Sequence, residues 1–149
     1  MEELGCEIGN HSFDHADLAT LSAEDVTSQL SRTDEEIQNL VGHSATVVRP
    51  PYGSFNDTVA GIAARPLIMW SVDTLDWETQ NADSTVQNVM DNAQDGAIIL
   101  MHDIFKESVD AAEVFIPQLI QEGYQLVTVS ELAAAKGITL EAGTSYGDF

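Results

Sequence analysis

The chain has 149 residues, 44% of them hydrophobic and 20% charged, close to globular averages, and this length suffices for one domain with a sizeable core. Five basic residues stand against 25 acidic ones, a formal charge of −20, which argues against nucleic acid or an anionic membrane as partner and favours cations or high-salt surroundings. The single Cys6 excludes an internal disulfide, the apolar runs are strand-sized, and the acidic start Met1-Glu2-Glu3-Leu4-Gly5 lacks the basic residues and apolar stretch of a signal peptide.

Leu4 to Ile8 reads as a strand or strand remnant leading into Gly9-Asn10-His11-Ser12-Phe13-Asp14-His15. Ser22, with Asp25 three residues on, is the N-cap candidate of an amphipathic helix in which Val26, Leu30, Thr33, Ile37 and Leu40 recur at helical spacing until Gly42. Its charges, Asp34, Glu35 and Glu36 among them, read as a solvated face. Thr46-Val47-Val48 is a short β-type run entering Arg49-Pro50-Pro51-Tyr52-Gly53, where two prolines and a glycine enforce a turn. Asn56 or Ser54 caps a short helix through Val59 and Ile62, which Pro66 ends.

Leu67 to Val72 is uniformly apolar, the mark of a buried strand, and it ends at Asp73-Thr74-Leu75-Asp76-Trp77. Thr85 to Ala93 is helical and stops at Asp95-Gly96; Ala97 to Met101 is the next buried strand, with His102-Asp103 at its end. Val109 to Glu122 is a helix with Pro117 inside it, Tyr124 to Val129 a last strand, and Ser130 to Ala135 a short helix capped by Ser130. Residues 137–149 form a tail in which Gly, Thr and Ser predict little regular structure.

Such alternation gives an α/β fold, either a mostly parallel sheet or an α/β barrel. Asp73, Asp76 and His102 follow apolar strands, Arg49 follows the Thr46 to Val48 run and His11 follows Ile8, which assigns the polar residues to the edge where α/β proteins bind and react.

His11 and His15 can meet one cation if the backbone makes a helical turn, and zinc would ask for about one more protein ligand. Asp14 would project off the shared face, so a distant third ligand is favoured. The bland alternative makes His11 a turn residue and His15 a satisfied surface or core histidine. His102 suits an acid for a leaving group, more readily protonated with a carboxylate such as Asp76 beside it. Arg49 can orient an anion or a catalytic carboxylate, or form a buried pair with Asp73; Trp77 suits a core cap as well as a substrate platform. A nucleophilic Ser12 finds no support, because no nucleophile elbow surrounds it.

These stretches together resemble the polysaccharide deacetylases with a NodB homology domain, carbohydrate esterase family 4. His11-Ser12-Phe13-Asp14-His15 looks like the family's H-S/T-x-x-H segment, Arg49-Pro50-Pro51-Tyr52-Gly53 like R-x-P-Y, Asp73-Thr74-Leu75-Asp76-Trp77 like D-x-x-D-W, and Leu100-Met101-His102 like L-x-H. The resemblance implies a distorted (β/α) barrel of mostly parallel strands and zinc, or else cobalt or manganese, on His11 and His15. It further implies Arg49 orienting the catalytic carboxylate, the Tyr52 amide stabilising an oxyanion, Asp76 tuning the general acid His102, and Trp77 and Leu100 lining the acetyl pocket.

The family's first motif, T-F-D-D-G, brings the base and the third metal ligand and normally lies several tens of residues before the histidine pair. Only ten residues precede His11, and none resembles it. The chain is therefore expected to be an incomplete barrel: a partial deacetylase domain over residues 1–136, followed by the tail 137–149. The reaction implied is metal-dependent removal of acetyl groups from carbohydrate, with N-acetylglucosamine of peptidoglycan favoured and chitin-type oligomers or acetylxylan behind it. The alternatives are a non-catalytic carbohydrate- or metal-binding remnant, and a fragment that completes its barrel with another chain. Without the base, this chain is expected to bind a divalent cation through His11 and His15 but to hydrolyse acetylated sugars poorly or not at all. The parent protein is expected outside the cell or on its surface, and an exposed parallel edge near Glu7 to Asn10 is expected to recruit another chain.

Overall fold

The computed structural model describes residues 2–149; Met1, with which the acidic start opens, lies outside them. The chain forms two compact units, one reaching to Met69 and resuming over Thr128–Tyr146, the other Trp70–Val127 with Gly147–Phe149.

In the first unit, helix α1 spans Ala23–Val41, bounded as its sequence requires. The Ser22 side chain accepts from the Asp25 amide, and Gly42 closes the helix at φ 87°, a conformation that costs a residue with a Cβ about 1 kcal/mol or more. Val26 and Leu30 face inward against Val48, Val59, Ala63 and Leu67, the last two elements being helix α2, Asp57–Ala63, and strand β1, Leu67–Ile68. Asn56 caps α2 through the Val59 amide.

The parallel pairing of this unit runs from Asn10 to Val48, from Val48 to Leu67, and from β1 to a strand at Ser145–Tyr146. Leu4 to Ile8 itself is not a strand: Glu2–Leu4 is a 3-10 turn, and regular pairing in that region is confined to Asn10. The tail departs from expectation in the other direction. The Thr144 and Tyr146 carbonyls accept from Leu67 and Met69, satisfying amides of a buried strand that Val48 pairs on its other side.

In the second unit, β2 (Val72–Asp73) pairs in parallel with β3 (Ile99–Leu100), and Ala97 bridges Asp148 antiparallel. The apolar run Leu67 to Val72 is therefore two strands, because the chain changes partners within it: Met69 donates to Tyr146, whereas Ser71 and Val72 donate to Ile98. Helices α3 (Asp76–Thr79), α4 (Ala82–Asn92) and α5 (Lys106–Gln121) complete the unit, with Val89 of α4 packed on Ala111, Phe115 and Leu119 of α5.

Tyr124 to Val129 is not a strand among the described residues. Leu126 and Val127 are 45% and 41% exposed, and β-type composition without a neighbouring ladder does not make a strand. Helix α6, Val129–Ala135, opens on Thr128 rather than Ser130, with Thr128 and Glu131 forming a reciprocal capping box. With β4 (Ser145–Tyr146), the architecture is α/β with mostly parallel pairing in open ladders, in keeping with an incomplete distorted (β/α) barrel.

Candidate functional site

Asn10, fully buried, sets the histidine segment in place. Its backbone bridges Val47 and Arg49, its amide nitrogen donates to the Leu30 carbonyl and to Asp34, both at 2.9 Å, and its side-chain oxygen accepts from the Ser12 amide. Asp34 is held in turn by Arg65 through two bonds of 2.7 and 2.8 Å. This carboxylate, which its sequence neighbours make look solvated, is the anchor of the loop.

The segment from His11 to His15 is not a helical turn: Ser12 and His15 sit at φ 62° and 55°. Each such non-glycine residue costs roughly 1–2 kcal/mol, so the conformation persists because the Asn10 anchor over-determines it. It nevertheless brings the two rings together, with centroids 4.9 Å apart and planes at 75°. His11 Nδ1 contacts the Arg49 carbonyl, which can only accept, so the proton lies on Nδ1 and the lone pair on Nε2, the tautomer of a metal-binding imidazole. His15 stands edge-on to Tyr52 at 4.8 Å.

Asp14 is turned to α1. Its carboxylate accepts from Gln29 at 2.9 Å and lies 3.6 Å from Arg32, while Gln29 accepts from the amides of Phe13 and Asp14 and the Arg32 guanidinium stacks over Phe13. Asp17 caps the turn at Leu18–Thr20. Among the described residues no three His, Cys, Asp or Glu side chains gather as a ligand set. The chain thus offers two imidazoles, donors of the kind zinc accepts, and the two nearby carboxylates have structural work.

Arg49 follows the Val48 bridge, and its guanidinium donates to the Ile68 and Met69 carbonyls, both at 3.2 Å. Burial lowers its pKa. Pro50 and Pro51 are fully buried and force the next residue out: Tyr52 has φ 60° and its side chain is 69% exposed. The amides of Gly53 and Ser54 donate back into this turn, whereas the Tyr52 amide has no acceptor in the chain among the described residues.

In the second unit, Thr74 and Leu75 aim Asp76. The Thr74 hydroxyl donates to the Leu100 carbonyl at 2.8 Å, the Leu75 amide donates to Asp73, and Leu75 takes φ 56°. Asp76, 1% exposed, starts α3 with a carboxylate that accepts four hydrogen bonds. Oδ1 takes the His102 ring at 2.8 Å and the Trp77 amide at 2.9 Å; Oδ2 takes the His102 amide at 2.7 Å and the Ser108 hydroxyl at 2.6 Å.

Burial alone would raise the Asp76 pKa. The bonds from Ser108 and from the ring and backbone of His102, with the charge of that ring, outweigh it and bring the carboxyl below its ordinary value. The contact between Asp76 and His102 is the one the strand-end motifs anticipate. Trp77 stays 48% exposed and Leu100 is buried. Ser108, 32 residues from Asp76, is the member that no sequence spacing reveals.

A family model described as polysaccharide deacetylase matches residues 1–66. The peptidoglycan-N-acetylmuramic acid deacetylase PdaC of Bacillus subtilis is 42% identical over 136 residues, 91% of this chain and 29% of that protein. The peptidoglycan-N-acetylglucosamine deacetylase PgdA of Listeria monocytogenes is 39% identical over 146 residues, 98% of this chain and 31% of that protein. The chain thus spans under a third of the length of these curated relatives. Among solved structures, the T48 deacetylase with substrate superposes with a TM-score of 0.93 at 38% identity, covering 98% of this chain and 72% of that one. With the four spaced motifs on their strand ends and loops, these likenesses show that the chain belongs to the polysaccharide deacetylases of the NodB homology type, carbohydrate esterase family 4.

Proposed function

We propose that this chain serves metal-dependent hydrolysis of acetyl groups from an acetylated glycan, with the N-acetylglucosamine of peptidoglycan as substrate. The observation that carries the reading is the His102 imidazole held through Nδ1 by the buried Asp76 carboxylate. A carboxylate only accepts, so the Nδ1 proton is fixed and Nε2 is the atom that exchanges a proton with substrate. In this reading the oxygen of a water adds to the acetyl carbon with loss of a proton to solvent, and as the C–N bond then breaks His102 gives a proton from Nε2 to the amine nitrogen, so that the free amine and acetate leave. The Tyr52 amide donates to the oxyanion that develops on the acetyl carbonyl, Arg49 orients a carboxylate, and Trp77 and Leu100 line the pocket for the acetyl methyl.

His11 and His15 hold the divalent cation, zinc first and cobalt or manganese as alternatives. When bound, such an ion supplies Lewis acidity toward the carbonyl and toward water. Because Asp14 and Asp17 are engaged elsewhere, no base is assigned within the histidine segment, and turnover by this chain is slow. The relatives' names support a peptidoglycan substrate and differ on the sugar, N-acetylmuramic acid for PdaC and N-acetylglucosamine for PgdA. Chitin-type oligomers and acetylxylan are the competing substrates. A glycan of the cell wall places the parent protein's work at the cell surface or outside it.

The test is acetate release from N-acetylglucosamine oligomers, N-acetylmuramic acid-containing wall fragments and acetylxylan with added zinc, beside His102→Ala. Zinc-dependent release lost in the variant supports the reading. A second reading, cation or glycan binding without turnover, is favoured by the ligand set of two imidazoles without a third carboxylate or imidazole gathered beside them among the described residues. Zinc binding that disappears in His11→Ala, with no acetate from any substrate, would establish it.

A further inference from the structure

Ser108 is 2% exposed in the first turn of α5. A serine in a helix ordinarily turns its hydroxyl to solvent or to the carbonyl four residues back. Here the hydroxyl donates to Asp76 Oδ2 at 2.6 Å, a distance typical of a charge-assisted bond. The other three donors to Asp76 come from Trp77, its own neighbour, and from His102, the residue that it holds. Ser108 alone brings a donor from a third element.

The outer torsion of an aspartate is broad and roughly two-fold, so nothing intrinsic fixes the plane of its carboxylate. The Ser108 hydroxyl shares Oδ2 with the His102 amide and adds the one donor that comes from outside Trp77 and His102, which holds the plane with Oδ1 toward His102 Nδ1. The carboxylate also lies at the N-terminal end of a 16-residue helix, whose partial positive charge favours the ionised form.

We propose that Ser108 is a positioning residue for His102: by clamping Asp76 it keeps the imidazole in the Nδ1–H tautomer, with Nε2 as the proton-exchanging atom. The catalytic consequence rests on the deacetylase reading above; the tautomer itself does not.

The test compares Ser108→Thr with Ser108→Val in the full chain. The two side chains have nearly the same shape, so any crowding in the buried site is common to both and only the hydroxyl differs. Two-bond proton–nitrogen correlation spectra of the neutral His102 ring read the tautomer directly. Wild type and Ser108→Thr are expected to show one Nδ1–H form, and Ser108→Val a mixture with Nε2–H. If acetate release is measurable, kcat in Ser108→Val falls about tenfold below that of Ser108→Thr with KM unchanged, because a tautomer acts on proton transfer rather than binding. A single Nδ1–H tautomer in all three proteins would overturn the proposal, as would a mixture in Ser108→Thr equal to that in Ser108→Val. Failure of the deacetylase reading would abolish acetate release in every protein and leave the spectra informative.

Discussion

His102 is bound to Asp76 twice, by its ring Nδ1 to Oδ1 at 2.8 Å and by its backbone amide to Oδ2 at 2.7 Å, so one buried carboxylate fixes both where the residue lies and how its ring is turned. A side chain that set only the ring would leave the strand end to drift; one that set only the backbone would leave the ring to rotate.

Asp76→Asn keeps the shape and removes the charge, and its NH2 group must then face a donor. Hydrogen bonds to a charged group contribute about 1.5–3 kcal/mol, so urea unfolding is expected to show a loss of roughly 2–4 kcal/mol. A change below about 1 kcal/mol would show that the four donors find partners elsewhere.

Asp76 also makes stability depend on pH. Its folded pKa lies below the ordinary value, so the unfolded chain takes up the proton first on acidification. The stabilisation is complete above the unfolded carboxyl value of about 4 and is lost as pH falls through the lower folded value. Melting temperatures of wild type and Asp76→Asn should therefore converge as pH drops below about 4 and stay apart near neutrality. Parallel curves across that range would contradict the assignment.

Asn10→Ala removes the donor to Leu30 and Asp34 and the acceptor for Ser12. With Ser12 and His15 strained, the loop should relax and the imidazoles part. Calorimetric zinc titration is expected to show affinity lowered roughly tenfold or more, as for other residues that orient ligands, with folding retained. Unchanged affinity would mean that the loop holds itself.

Gly96 is at φ 93°, and a Cβ there would fall inside contact distance of the Phe149 carbonyl oxygen. Gly96→Ala should lose about 2 kcal/mol or more from the combined backbone strain and overlap. Hydrogen exchange at the Phe149 amide, which donates to the Gly96 carbonyl, should speed up. Retained protection with unchanged stability would argue against this contact.

What could be read from the sequence follows from how local each signal is. Ser22 and Gly42 bracket α1 because cap, period and stop all lie within the segment. Asp76 and His102 could be paired because both follow apolar strands. By contrast, nothing in Leu67 to Val72 tells which neighbour each residue pairs with, so the change of partner after Met69 was hidden in a uniform run. Tyr124 to Val129 has the composition of a strand without the partner that would make it one. The histidine pair announced itself by spacing, but the loop that joins the rings is held by Asn10, Asp34 and Arg65, and Asp34 looks solvated among the acidic residues of α1. Ser108 is invisible for the same reason, since only the fold brings it to Asp76.

The most direct measurement is acetate release from N-acetylglucosamine oligomers by the zinc-loaded chain, compared with His11→Ala and His102→Ala. Slow release that needs zinc, disappears in His11→Ala and falls at least about a hundredfold in His102→Ala is the expected result, since general acid catalysis contributes on that scale. No release by the wild-type chain, or release that His102→Ala leaves unchanged, would contradict it.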